Sequence, residues 1–350
     1  MRYKLFGKSG LRVSEMALGT MTFGEDWGWG ASKEESKKIF DRYVNADGNF
    51  IDTANHYTNG TSEKFLGEFI ASDRDHFALA TKYSLNSRPD DPNLGGNHRK
   101  SMVQGIEGSL KRLNTEYIDI YWVHAWDPLT PTEEVMRALD DLVSSGKVLY
   151  IGVSDTPAWV ISKANTLAEL RGWSSFVGMQ MQYSLIERTI ERELLPMAKA
   201  FDIAVTAWGI LGSGVLTGKY ERDKDRPADT RLTGNTWGDA ILVDRNFKIS
   251  ETLSQVAKEI DCSPSQAAIA WILHQKNRGV IIPLIGARTL KQLEDNLGAL
   301  NVKLSDEQLK KLDEVSKIQR GFPHDFMENG KQFIFGSTYD LIDNHRGVTY

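Results

Sequence analysis

Residues 15–24, EMALGTMTFG, decide the fold. A short apolar run reads as a strand and passes at once into a loop, and the loop separates two α/β architectures. A doubly wound dinucleotide-binding sheet follows its first strand with G-x-G-x-x-G, whose glycines let backbone approach a pyrophosphate. Here the run is followed by Gly19-Thr20-Met21-Thr22-Phe23-Gly24, which lacks that spacing. The other glycine cluster, Gly212-Ser213-Gly214 with Gly218-Lys219, is spaced wrongly too. It carries Tyr220 where a phosphate loop needs Ser or Thr.

Seven further strand candidates lie at 49–53, 77–82, 118–123, 149–153, 176–181, 203–208 and 280–284. Helical patterns alternate with them, as at 32–46 and 98–114. In the second, Met102, Ile106, Leu110 and Leu113 recur at helical spacing. Ser305, followed by Asp306 and Glu307, marks another helix start. Eight strands alternating with helices, without the open-sheet fingerprint, predict an α/β fold: a closed (β/α)8 TIM barrel occupying residues 1–350 as one domain. Two stretches depart from the repeat. One is a long polar loop after the seventh strand, about 210–246. The other is a tail from 317 with Phe322, Phe326, Phe333, Phe335 and Tyr339, expected to pack on the barrel.

The composition, 41% hydrophobic and 25% charged with ten prolines in 350 residues, is that of a globular protein. A net charge of −5 gives no support to binding nucleic acid or an anionic membrane. No apolar run reaches the ~20 residues of a membrane span, and MRYKLFGKSGLRVS lacks a signal-peptide core, so a cytoplasmic location is expected. Cys262 is the only cysteine, which forbids an internal disulfide, and its neighbours supply no base, so it reads as packing. Asn59-Gly60-Thr61, formally a glycosylation sequon, reads as a turn. Nothing in the patterning specifies an oligomeric interface.

Active sites of such barrels lie at the C-terminal ends of the strands. Asp52 ends the second strand candidate, Lys82 the third and His124 the fourth, and Tyr57 lies five residues into the loop after the second. Each alone is ordinary; the four at one barrel mouth make one machine. Reducing a carbonyl needs a hydride and a proton. Tyrosine gives a proton reluctantly, with a reference pKa of ~10, and an adjacent ammonium favours the phenolate. Lowering the phenol into the working range takes roughly 3–4 kcal/mol, within reach of a partly buried charge pair. Asp52 would hold Lys82 charged, and His124 would donate to the carbonyl oxygen. No side chain supplies hydride, so a nicotinamide cofactor is implied, and no metal. Trp27, Trp29 and Trp126, in the loops after the first and fourth strands, suggest an aromatic wall for an apolar or ring-shaped carbonyl substrate.

Residues 50–63, FIDTANHYTNGTSE, match the signature F-I-D-T-A-x-x-Y-x-x-G-x-S-E, and on this the chain resembles the aldo-keto reductases. The resemblance runs on through ATK (80–82), IDIYWVHAWDP (118–128), GKVLYIGVSD (146–155), QMQYSLIER (180–188), LTGKY (216–220) and IGARTLKQLEDNLGAL (285–300). The opening YKLFGKSGLRVSEMALGTMTFG resembles that family's N-terminal β-hairpin, which closes the bottom of the barrel, and its first strand. The resemblance implies a catalytic tetrad of Asp52, Tyr57, Lys82 and His124. It implies nicotinamide contacts from Ser154, Asp155 and Gln180, with Trp208 stacked on the ring. It further implies cofactor contacts from Gly19, Thr20, Met21, Gly209, Leu211, Gly212, Gly214, Lys219 and Arg231. The adenosine end falls to Gly286, Arg288, Gln292, Asp295 and Asn296. Arg288, before a helix N-terminus, suits a 2′-phosphate and therefore NADPH/NADP+. Trp27, Tyr57, His124 and Trp126 would face the substrate. Asp155 stands where the family more often has asparagine, and Gly209-Ile210 replaces Ser-Pro.

The implied activity is reversible, NADPH-dependent reduction of an aldehyde or ketone. Two alternatives stand beside it. One is a cofactor-binding regulatory protein resembling potassium-channel β subunits. The other is a lyase or isomerase using Lys82 as a Schiff base.

Overall fold

The computed structural model describes residues 1–222, 224, 232 and 236–343, the side chains of 236–238 excepted. Arg231 therefore lies outside the described residues. An antiparallel hairpin, β1 (Tyr3–Leu5) and β2 (Arg12–Ser14), precedes eight parallel strands. These are β3 (Ala17–Gly19), β4 (Phe50–Asp52), β5 (Ala78–Tyr83), β6 (Ile118–Val123), β7 (Val148–Ser154), β8 (Gly178–Gln182), β9 (Ala204–Trp208) and β10 (Ile281–Gly286). They pair in chain order and β10 closes on β3, giving the (β/α)8 barrel. Every strand falls where the apolar runs predict it.

Helices cover the outside. Lys33–Val44 starts at Ser32, whose side chain accepts from the Glu35 amide. Arg99–Leu113 buries Met102, Ile106 and Leu113 against the barrel. Ser263 and Ser305 each open a helix through a capping box.

Inside, the two-residue period of a strand stacks side chains in layers. Phe50, Ala78, Ala80, Ile120, Trp122, Ala204 and Ile282 form an apolar plug with Phe6 from the hairpin. Phe6 meets Phe50 and Trp122 edge-on, with centroids 5.6 and 6.1 Å away. Two strand glycines make room: a Cβ on Gly152 would lie 2.4 Å from the Trp122 ring, and one on Gly178 2.4 Å from Phe6. The hairpin sits at the N-terminal ends of the strands, where Lys4 Nζ donates to the Ile281 carbonyl (2.7 Å). It closes that end of the barrel, as the resemblance implied.

The tail is the one departure. Arg192 donates to the Gln319 carbonyl (2.8 Å) and His324 lies near Glu193, so polar contacts hold its start. Phe322 and Phe333, however, are 85% and 89% exposed, so these rings are not packed on the barrel. Among the described residues no helix is long and apolar enough to cross a membrane.

Candidate functional site

One step up from the apolar plug, the same period points polar side chains into the barrel. Asp52 stands two residues above Phe50, Lys82 above Ala80, His124 above Trp122, Ser154 above Gly152 and Gln180 above Gly178. Asp52 and Lys82 are wholly buried. Lys82 Nζ donates to Asp52 Oδ1, to the Thr53 carbonyl (2.8 Å) and to Tyr57 Oη (3.1 Å), which uses all three ammonium hydrogens. The second Asp52 oxygen accepts from Gln180 Nε2 (2.9 Å). The His124 ring meets the Tyr57 ring nearly perpendicularly, with centroids 5.7 Å apart, and its Nδ1 is buried with no partner among the described residues.

The electrostatics follow from burial and pairing. Burial opposes the ammonium, but the charges of Asp52 and Tyr57 outweigh it and raise Lys82. A lysine held protonated has no lone pair with which to attack a carbonyl, which weighs against Schiff-base chemistry. Burial and the Lys82 charge hold His124 well below its ordinary value, so its imidazole is neutral. Tyr57 corrects an expectation. Lys82 does pull the phenol down, but burial, with Asp52 adding to it, prevails and the pKa is raised. The lysine and its aspartate form a nearly neutral pair, so the phenol feels only the difference of their fields.

The mouth brings the candidate cofactor residues into three groups. Around β7–β9, Ser154 Oγ donates to the Gln180 carbonyl (2.8 Å), and Trp208 Nε1 donates to Asp155 Oδ1 (3.1 Å). The aspartate that replaces asparagine therefore holds the indole edge from a left-handed backbone, φ 43°. Beyond β9, Gly212 (φ 55°) and Gly214 (φ 95°) turn the chain so that Lys219 folds back over Gly214. Burial and the charge of Arg288 both depress Lys219, so two cations share a region that an anion would relieve. Beyond β10, Arg288 N donates to Gln292 Oε1 (2.8 Å) and Asn296 Nδ2 to the Gly286 carbonyl (3.2 Å). Asp295 instead accepts from Gln266 of a neighbouring helix (3.1 Å). The helix N-terminus beside Arg288 is already used: Leu290 N donates to Glu35 Oε1 (2.7 Å) and Gln292 N to Thr289 Oγ1 (3.3 Å). An anion there would rest on the guanidinium rather than on those amides. A flat indole after β9 and paired cations in the loops beyond it fit a nicotinamide dinucleotide.

Gly19 ends β3, and the Thr20 hydroxyl donates to the Asp52 carbonyl (3.0 Å). Met21, Gly209 and Leu211 lie in the loops after β3 and β9. Trp27 lies against Trp29 (5.7 Å) and His56 (5.8 Å). Trp126 belongs to a separate loop, pinned where Asp127 N donates to Asn97 Oδ1 (2.6 Å).

Some contributors were not legible as such. The Thr53 carbonyl holds Lys82, and Gln180, expected only against cofactor, supports Asp52. Strand period alone would have turned Gln180 inward, two residues above Gly178. Glu63, wholly buried, accepts from Thr81 (2.6 Å) and Arg112 (2.6 Å), tying the helix after Tyr57 to β5.

The profile of the aldo/keto reductase family matches residues 15–317. The chain belongs to that family. It is similar to norsolorinic acid reductase stcV of Emericella nidulans, at 38% identity over 96% of this chain and 86% of the relative. It is also 38% identical to an aryl-alcohol dehydrogenase [NADP(+)] of Phanerodontia chrysosporium, over 97% of this chain and 90% of the relative. A putative aryl-alcohol dehydrogenase, AAD14, of Saccharomyces cerevisiae shares 36% over 92% of this chain and 88% of its own length. This aldo/keto reductase is thus an oxidoreductase acting on carbonyl or alcohol groups, in a family that uses nicotinamide cofactors. The relatives' names favour the enzyme over the regulatory reading.

Proposed function

We propose that this chain reduces aldehydes or ketones to alcohols, reversibly, with NADPH as hydride source and Tyr57 as proton donor. One observation carries the reading: Tyr57 Oη lies 3.1 Å from an ammonium that a buried carboxylate and a backbone carbonyl hold in place. Ser154, Gln180 and Trp208 would hold the nicotinamide end of the cofactor, and Lys219 and Arg288 its phosphates. Bound there, it supplies the hydride that goes to the carbonyl carbon. The raised pKa keeps Tyr57 protonated at neutral pH, so the acid is loaded. As charge builds on the substrate oxygen, that oxygen becomes a stronger base than phenolate and takes the Tyr57 proton. Lys82 steadies the phenolate left behind, and Asp52 keeps Lys82 charged. His124, neutral, can donate an N–H to the same oxygen.

Arg288 supports the phosphorylated cofactor, as does the name of the NADP(+)-linked relative. Trp27, Trp29 and Trp126 supply flat apolar faces, and the names of the aryl-alcohol dehydrogenase relatives support aryl carbonyls as the substrate class. The test is NADPH oxidation at 340 nm over a panel of aryl aldehydes, wild type against Tyr57→Phe. General acid catalysis contributes on the order of 10²–10⁴ in rate, and that is the loss expected, with NADPH binding retained. Undiminished turnover in Tyr57→Phe removes the proton donor from the reading.

A further inference from the structure

Tyr57 stands at the head of a turn in an uncommon conformation. Thr58 has φ 45° and ψ 46°, Asn59 φ 54° and ψ 32°, and Gly60 φ 89°. A β-branched residue in the left-handed region is a true outlier, and it persists only where its surroundings over-determine it. Here they do. Thr58 is wholly buried; its Oγ1 donates to the Phe23 carbonyl (2.7 Å) and accepts from Ser62 N (3.1 Å). At Gly60 no side chain fits: a Cβ would lie 2.8 Å from Cδ of Arg112, whose guanidinium is held by buried Glu63.

The partner of this turn is the loop after β3. Besides Thr58 to Phe23, Thr61 Oγ1 donates to Asp26 Oδ1 (3.1 Å) and Trp27 Nε1 to Asn59 Oδ1 (3.4 Å), and the Trp27 ring lies against His56. The loop is closed on itself by Gly24 N to the Ala31 carbonyl (3.0 Å) and Ala31 N to the Thr22 carbonyl (2.7 Å). Of these links only the Thr58 hydroxyl is buried and serves both sides, with an acceptor in the loop and a donor in the helix after the turn.

We infer that Thr58 is a positioning residue: its hydroxyl bolts the left-handed turn that aims Tyr57 to the loop carrying Trp27, so proton donor and aromatic wall hold one mutual geometry. This rests on Tyr57 as proton donor. Thr58 itself is wholly buried and presents no surface to a substrate or cofactor.

Thr58→Val keeps the shape and deletes the hydroxyl; Thr58→Ser keeps the hydroxyl. With the NADPH-loaded enzyme and 4-nitrobenzaldehyde in single turnover, Thr58→Val should be slower by about tenfold, as the loss of both hydrogen bonds of that hydroxyl loosens the turn. Its KM for the aldehyde should stay within about twofold, and Thr58→Ser should restore the rate. In a Tyr57→Phe background, Thr58→Val should cost nothing further, because a positioning effect has no donor left to act through. Equal losses in both backgrounds overturn the inference, as does a raised KM at unchanged kcat. Should Thr58→Val fail to fold, Thr58→Gly, which relaxes the backbone and also lacks the hydroxyl, carries the same expectations. If Tyr57→Phe turns over undiminished, the proton-donor reading falls and this inference with it. If Tyr57→Phe is crippled but Thr58→Val matches wild type, only this inference falls.

Discussion

Lys82→Met tests the buried charge pair more stringently than any change at the surface. Methionine fills much the same volume but removes three hydrogen bonds and, among the described residues, the one cation bonded to Asp52, leaving that wholly buried carboxylate with Gln180. Breaking a buried pair from one side costs about 3–5 kcal/mol, because the remaining charge is uncompensated. Asp52 can escape part of that cost by taking a proton. Its pKa is raised by burial even with Lys82 present, and without the ammonium it must rise further.

The sign follows from linkage. A carboxyl whose folded pKa exceeds its unfolded value of ~3.9 binds the extra proton in the native state, so stability falls as pH rises between the two. Each pH unit in that window is worth about 1.4 kcal/mol. If the folded value in Lys82→Met passes 7, the stability deficit against wild type should be smaller at pH 5 than at pH 7 by roughly 2–3 kcal/mol. Urea unfolding of both proteins at the two pH values measures this directly. A deficit below about 1 kcal/mol, or one independent of pH, would refute the argument, since it would mean the carboxylate is not uncompensated.

Two further outcomes are expected. Arg288→Ala should weaken NADPH by tenfold or more, because a charge-assisted hydrogen bond contributes about 1.5–3 kcal/mol. NADH should be unaffected in the same fluorescence titration, and equal losses for both would show that Arg288 does not read the 2′-phosphate. His124, whose folded pKa lies well below the unfolded ~6.5, should cost the wild type stability as pH falls through 6.5. In urea melts from pH 7.5 to 5, His124→Gln should show a shallower loss, and an unchanged slope would mean the ring is not buried neutral.

What the chain revealed in advance was whatever depends on local period or on a fixed spacing. The eight strands were legible because buried parallel strands are short runs of apolar, β-branched residues. Lys82, Asp52 and His124 were legible because each falls at a strand end. Tyr57 was found, but the sign of its pKa change was not. That sign depends on how completely the barrel excludes water, and on Asp52 opposing the Lys82 field. Thr58 occupies an unconstrained position in the signature, so nothing marked it before its backbone angles were known. Glu35 was likewise invisible as the occupant of a helix terminus 255 residues away. The exposed rings of the tail show the reverse failure, where aromatic content suggested a contact that Phe322 and Phe333 do not make.

The plug beneath the site has a consequence for how this enzyme can change. Gly152 and Gly178 exist as bare backbone because Trp122 and Phe6 occupy the space their side chains would take. No member of that set can be replaced alone. Enlarging a glycine forces the indole or the phenyl to move, and shrinking the indole opens a hole directly under His124. Novelty must therefore enter from above, through the loops that bear Trp27 and Trp126. A library selected for new carbonyls should accumulate changes in those loops and return the plug unaltered.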